Sequence, residues 1–112
     1  MKPVFSTSEP PILKVTGRNY GYPVRRIFCV GRNYAEHVLE LGNKVEKKQP
    51  FYFTKSAFSL LGSEKNLTYP PMTNELHHEV ELVVSIAKPL QKANREELEG
   101  SIFGYACGLD MT

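Results

Sequence analysis

Two glutamates, Glu79 and Glu81, lie two residues apart in the segment HHEVELVV. The apolar residues around them are typical of a strand in a sheet interior, and residues two apart on a strand point to the same side. Two like charges on a half-buried face are costly unless the face is exposed, basic side chains neutralise it, or a divalent cation bridges the carboxylates. Val83 continues the same face, so that face is not simply polar, and all three explanations stay open.

A cation bound by these carboxylates would have oxygen ligands, which suit Mg²⁺, Mn²⁺ or Ca²⁺ better than Zn²⁺. Two carboxylates rarely suffice, and Asp110, in the strand-like segment GLDMT, is the natural candidate for a third. His77 has the same parity as the two glutamates and could bind the cation or orient a carboxylate. The alternative for His77 is an ordinary structural histidine.

A second candidate group is His37 with Glu40, three residues apart on a predicted helix and therefore neighbours on its surface. A carboxylate beside an imidazole orients the ring and raises its basicity, as a general base requires. The alternative is an ordinary exposed helix pair. Arg32 and Lys55 could bind an anionic substrate, although each could also be a surface charge.

The elements that position these residues follow from local patterns. Residues 24–30 predict a strand, and the segment after them predicts a helix with Asn33 as N-cap, Glu36 in a capping box and Gly42 at its end. Residues 50–55 predict an aromatic strand that ends on a lysine. The segment SAFSLLG is ambiguous between strand and coil.

In the second half, residues 75–86 predict a long strand, residues 94–100 a short helix with an asparagine cap and a glycine stop, and residues 101–112 a core strand. Residues 1–23 contain four of the eight prolines and predict an N-terminal arm with short edge strands. The predicted fold is mainly β with short helices (α+β). Helices do not alternate with every strand, which argues against a doubly wound sheet.

The chain has 112 residues, of which 41% are hydrophobic, and this length predicts one domain. Its formal net charge is +2. Charge near zero gives no argument for binding nucleic acid or an anionic membrane. Cys29 and Cys107 form no metal-binding spacing and are interpreted as buried free thiols of a reducing cytosol, with a disulfide between them as the alternative. With no signal peptide and no spanning apolar run, we predict a cytoplasmic protein. The chain stops in an apparent core strand, and we expect it to be a fragment.

Five segments occur in a recognisable order: VRRIFCVGRNYAEHVLELG, PFYFTKSAFSLLG, YPP, ELHHEVELVVSIAK and IFGYACGLDMT. Together they resemble the N-terminal half of the catalytic domain in the fumarylacetoacetate hydrolase family, especially its acylpyruvate and fumarylpyruvate hydrolases. The resemblance covers residues 24–112 and leaves residues 1–23 as the arm. It implies a mixed β-roll, incomplete in this chain, that works as a homodimer.

The resemblance also implies a site. Glu79, Glu81 and Asp110 would bind a divalent cation, Mg²⁺ or Mn²⁺, with Ca²⁺ as a further alternative. The His37–Glu40 dyad and Lys55 would be catalytic. Ser56 follows Lys55 where many members of the family have proline.

The implied reaction is cleavage of a C–C bond in acylpyruvates, small 2,4-dioxo acids such as fumarylpyruvate, to pyruvate and a carboxylic acid in aromatic catabolism. In that reaction His37, oriented by Glu40, takes a proton from the attacking water. Oxaloacetate decarboxylation or dioxo-acid isomerisation at the same site is the alternative, because both pass through an enolate. A further alternative is an inactive fragment, if 112 residues are the whole protein.

Overall fold

The computed structural model describes residues 1–31, 33 and 50–112. They divide into two compact units, residues 1–67 and residues 68–112. In the described part of the chain, six strands form three antiparallel two-stranded sheets, accompanied by one 3-10 turn and one short α-helix. The prediction of a mainly β chain with short helices is confirmed. The predicted helix that begins at Asn33 and carries His37 and Glu40 lies outside the described residues.

The first sheet is formed by β1 (Ile12–Lys14) and β2 (Gly21–Pro23). Leu13 lies opposite Tyr22, and the intervening turn contains Gly17 at a φ of 70°, a conformation that glycine adopts without steric cost. Both strands are short, as the proline-rich sequence predicts.

The second sheet pairs β3 (Ile27–Gly31) with β4 (Phe51–Lys55). The aromatic strand is confirmed. The predicted strand over residues 24–30 begins three residues too early. The buried Val24 donates its N–H to the Pro11 carbonyl at 2.8 Å, so its backbone pairs beside the first sheet instead of joining β3.

The ambiguous segment after Lys55 forms a 3-10 turn over Ala57–Ser59. Ser56 caps this turn: its hydroxyl accepts a hydrogen bond from the Phe58 N–H at 3.2 Å, and its carbonyl accepts from the Ser59 hydroxyl at 2.7 Å. Ala57 is buried beneath the turn. The cap therefore satisfies a backbone N–H at the start of the turn that follows β4.

The third sheet pairs β5 (His78–Ile86) with β6 (Ile102–Met111) over nine register positions. The predicted strand over residues 75–86 begins too early, because two of its N–H groups are used by side chains. Glu75 donates to the Thr73 hydroxyl at 3.1 Å, and Leu76 donates to the Tyr69 hydroxyl at 3.3 Å. The ladder then opens with His77, which exchanges two backbone hydrogen bonds with Thr112.

The connection from β5 to β6 contains α1 (Arg95–Glu99), and this predicted helix is confirmed. Its capping box is complete: the Asn94 side chain accepts from the Glu97 N–H at 2.9 Å, and the Asn94 N–H donates to the Glu97 carboxylate at 2.8 Å. Gly100 ends the helix. Ser101 is 1% exposed, its hydroxyl donates to the Leu98 carbonyl, and its carbonyl accepts from the Ala87 N–H at 2.7 Å.

The expected sheet interior is the main correction to the predicted fold. Val80 and Leu82 are 62% and 65% exposed, and Tyr105 and Leu109 of β6 are exposed on the same face. Within the described residues, β5 and β6 form a sheet of two strands, and an apolar face needs a second layer to be buried. The pattern correctly predicts which face is apolar, but not whether that face is covered.

Candidate functional site

The β5–β6 register brings the three candidate metal ligands onto one face. Glu79 lies directly opposite Asp110, and Glu81 lies opposite Gly108. Directly opposite residues have Cβ atoms about 4.5–5.5 Å apart and share a face, and residues two apart on a strand share it too. Glu79, Glu81 and Asp110 therefore project from the same side of one two-stranded sheet.

This face is the more covered side of the strand pair. Glu79, Glu81 and Asp110 are each partly buried, whereas the apolar residues on the other face are exposed. The usual arrangement of a half-buried sheet, with apolar residues covered and charges in water, is thus reversed within this unit. Of the three explanations for the glutamate pair, simple exposure of its face is the one that this burial disfavours.

The oxygen donors of this face are of the kind that hard divalent cations prefer. All three candidate ligands are carboxylates, and the Cys107 thiol belongs to the opposite face, where it is paired with Leu82. Within residues 1–31, 33 and 50–112, no three His, Cys, Asp or Glu side chains lie close enough together to hold a metal ion. The register therefore brings together the backbone positions of the three carboxylates, but their tips do not converge.

The side chain of His77, which shares parity with the two glutamates, contacts Glu75 in the preceding turn. Its Nε2 lies 3.2 Å from a carboxylate oxygen of Glu75, and both side chains are largely exposed. The structure thus pairs this imidazole with the preceding turn. This arrangement favours the structural interpretation of His77 over its interpretation as a ligand.

Lys55 is the last residue of β4 and lies opposite Ile27. It is partly buried and shares a face with Cys29 and Phe53. The following Ser56 has φ −62° and ψ 135°, which is within the range that proline adopts, so serine at this position does not redirect the chain. Arg32, His37 and Glu40 lie outside the described residues, and their roles stay predictions.

Gly108 lies on the face of the β5–β6 sheet that carries Glu79, Glu81 and Asp110, and the sequence alone assigned it no role. It lies opposite Glu81 and two positions before Asp110. The parity of the segment GLDMT already places residue 108 on the face of Asp110. The missing information was the register, which alone shows that this glycine faces Glu81.

Residues 26–112 match the family model described as fumarylacetoacetate (FAA) hydrolase C-terminal. The oxaloacetate tautomerase YcgM of Escherichia coli is 40% identical over 91 residues, covering 81% of this chain and 41% of that protein. A fumarylpyruvate hydrolase of a Ralstonia species is 45% identical over 74 residues, covering 64% of this chain and 38% of that protein.

Among solved structures, the fumarylpyruvate hydrolase of Pseudomonas aeruginosa in complex with Mn²⁺ and pyruvate matches with a TM-score of 0.91 and 40% identity. That match covers 99% of this chain and 49% of the solved chain. The chain thus spans about two fifths of the curated relatives' length and half of the solved structure's. In the part of the chain that the structure describes, no helix combines the length and the hydrophobicity of a membrane-spanning segment.

The comparisons confirm the resemblance inferred from the motifs and the fold type that it implies. The family model covers well over half of the chain, and a solved structure of the predicted type matches nearly all of it. This chain belongs to the fumarylacetoacetate hydrolase family.

Proposed function

We propose that the protein is a divalent-metal-dependent hydrolase that cleaves a C–C bond in acylpyruvates, giving pyruvate and a carboxylic acid. The observation that carries the proposal is the register: Asp110 lies opposite Glu79, with Glu81 on the same face. The similarity to a fumarylpyruvate hydrolase solved with Mn²⁺ and pyruvate supports the same reaction.

Glu79, Glu81 and Asp110 would bind Mn²⁺ or Mg²⁺, with Ca²⁺ as a further alternative. The bound cation supplies Lewis-acid stabilisation of the negative charge that develops on a dioxo acid. Because the register already brings the three positions together, the carboxylates can converge by side-chain rotation along β5 and β6. Three carboxylates on one partly covered face repel one another, and a divalent cation removes that repulsion.

The remaining steps are assigned to the chain's own groups. His37, oriented by Glu40, takes a proton from water, and the resulting hydroxide attacks the distal carbonyl of the acylpyruvate. The C–C bond then breaks, the acyl carbon leaves as a carboxylic acid, and the pyruvate half leaves as an enolate that is protonated. Arg32 and Lys55 supply positive charge for the substrate carboxylate and the developing oxyanion.

A second candidate is tautomerisation or decarboxylation of oxaloacetate at the same residues. The E. coli oxaloacetate tautomerase favours it, as does the Caenorhabditis elegans oxaloacetate tautomerase fahd-1, which is 42% identical over 87 residues. An oxaloacetate decarboxylase of Dictyostelium discoideum is 39% identical over 89 residues. Each of these reactions forms an enolate next to a carboxylate, so the same cation and the same positive side chains can serve them.

The proposal extends to the whole protein. We place it as a cytoplasmic homodimer that acts on a small dioxo acid in the catabolism of aromatic compounds. The alternative to this proposal is that the chain has no enzymatic activity. A native mass of 12.7 kDa together with no turnover of any dioxo acid would favour that case.

The decisive experiment compares initial rates on acetylpyruvate, fumarylpyruvate and oxaloacetate, with Mn²⁺ or Mg²⁺ and with EDTA. We expect EDTA to abolish turnover and added Mn²⁺ to restore it. We expect Glu81→Gln to lose turnover, while the matched variant Glu75→Gln, in the turn before β5, retains it. Undiminished turnover in EDTA or in Glu81→Gln contradicts the metal site, and faster turnover of oxaloacetate than of acylpyruvates selects the second candidate.

A further inference from the structure

Gly108 is the place where β6 approaches a side chain of β5 most tightly among the glycines of this sheet. A Cβ atom built on Gly108 would lie 2.8 Å from Cγ2 of Val83, closer than real Cβ contacts allow. Gly104, on the same face and the same strand, has no atom within 4 Å of such a Cβ. The sheet therefore requires glycine at one of these two positions and not at the other.

Val83, whose Cγ2 lies nearest to Gly108, is on the carboxylate face, the side of the β5–β6 sheet that carries Glu79, Glu81 and Asp110. Val83 lies opposite Ala106, two residues beyond Glu81 on β5, and reaches Gly108 along the diagonal between the strands. A valine has little freedom at χ1, so its methyl groups cannot easily turn away from a new neighbour. A side chain at position 108 would displace Val83 along the face that carries Glu81.

Gly108 also lies directly across from Glu81 and next but one to Asp110. For the Glu81 carboxylate to meet Asp110, its side chain must lean across the sheet toward β6. Glycine at position 108 adds no side chain of its own there, and the described atom nearest to the place of its absent Cβ is Val83 Cγ2. The same glycine thus clears the path of Glu81 and lets Val83 pack against β6.

On the basis of the proposed function, we propose that Gly108 is a positioning residue of the cation site. It acts through Val83 and Glu81 and touches neither the cation nor the substrate. Along β5, the contact between Gly108 and Val83 lies on the side of Glu81 that is away from Glu79, and it limits the cluster of three carboxylates there. A methyl group at position 108 narrows the space available to Glu81 and weakens cation binding without removing a ligand.

The test measures Mn²⁺ affinity by isothermal titration calorimetry on the purified native protein, with circular dichroism to establish that each variant is folded. We expect Gly108→Ala to weaken Mn²⁺ binding roughly tenfold, as the loss of a residue that supports metal ligands does. The control Gly104→Ala should bind Mn²⁺ as the unsubstituted protein does. Combining Gly108→Ala with Val83→Ala should restore affinity to that of Val83→Ala alone, because the atom in conflict is gone.

Each outcome bears on the proposal separately from the proposed function. If the unsubstituted protein binds Mn²⁺ and Glu81→Gln does not, the cation site stands. Equal affinities of Gly108→Ala and Gly104→Ala would then overturn the role of Gly108. A Gly108→Ala variant that is less stable but binds Mn²⁺ normally when folded would show a purely structural glycine and overturn it too. Absence of Mn²⁺ binding in the unsubstituted protein overturns the site and this inference together.

Discussion

The β3–β4 and β5–β6 sheets divide their residues in the same way. In each, the charged candidate residues lie on the partly covered face, Lys55 in the first and the three carboxylates in the second. Most of the exposed large apolar residues lie on the other face: Phe28 and Tyr52 in the first sheet, where Phe51 is an exception, and Val80, Leu82, Tyr105 and Leu109 in the second. The predicted site residues of both sheets therefore lie on the more covered side.

The two sheets differ in how their positions are fixed. The β5–β6 ladder has nine register positions, and its connection, with α1 and the buried Ser101, is hydrogen bonded locally. The β3–β4 ladder has five positions and contributes Lys55 alone among the described candidates. The positions of the three carboxylates thus depend on one long register, whereas Lys55 is placed by the shorter β3–β4 ladder.

The largest expected effect separates the roles of the two sheets. Asp110→Asn removes a proposed ligand, and we expect Mn²⁺ affinity to fall by roughly a hundredfold or more. Lys55→Met should slow turnover and leave Mn²⁺ affinity unchanged, because Lys55 is assigned to the substrate. Calorimetric Mn²⁺ titrations of both variants check this division, and equal losses of affinity would contradict it.

A smaller effect tests the exposed apolar face. Val24→Ala shortens a buried side chain and should cost about 1.5 kcal/mol in the free energy of unfolding. Val80→Ala shortens an exposed one and should change that energy by less than about 0.5 kcal/mol. Urea unfolding of both variants checks the difference. Equal costs would show that the native protein covers the apolar face of β5–β6.

The connection between β5 and β6 gives the next prediction. Asn94→Ala removes the capping box of α1 and should cost about 1 kcal/mol in the free energy of unfolding. The control Arg95→Ala removes an exposed ion pair with Glu99 and should cost about 0.3–0.5 kcal/mol. Both values come from the same urea unfolding measurement. A larger cost for Arg95→Ala than for Asn94→Ala would contradict the capping box as the main local interaction that stabilises α1.

The smallest expected effect lies at the end of β4. Ser56→Pro keeps the backbone angle that Ser56 already has, and it places a proline after a strand residue, where proline is tolerated. The lost cap and the stiffer unfolded chain act in opposite directions, so we expect a change within about 1 kcal/mol. Thermal unfolding followed by circular dichroism measures it, and a severe loss would show that Ser56 shapes the position of Lys55.

Local features of this chain could be predicted from sequence, and long-range ones could not. The Asn94 cap and the shared face of Glu79 and Glu81 depend on residues within a few positions of each other, and both are as predicted. The start of β3 was wrong because Val24 bonds to Pro11, thirteen residues earlier. The pairing of Glu79 with Asp110 depends on the register between the two strands that residues 87–101 connect, which parity alone cannot give.

The register also contains an irregularity between Ser85 and Ile86. Ser85 pairs with Gly104 and Ile86 with Ile102, so Phe103 is an extra residue on β6. Because side chains alternate along a strand, a one-residue deletion on β6 between this bulge and Asp110 would turn Asp110 to the face opposite Glu79. Insertions in the α1 connection leave that alternation intact. Among related proteins, insertions and deletions should therefore be common in the segment that corresponds to residues 87–101 and rare in the one that corresponds to residues 104–110.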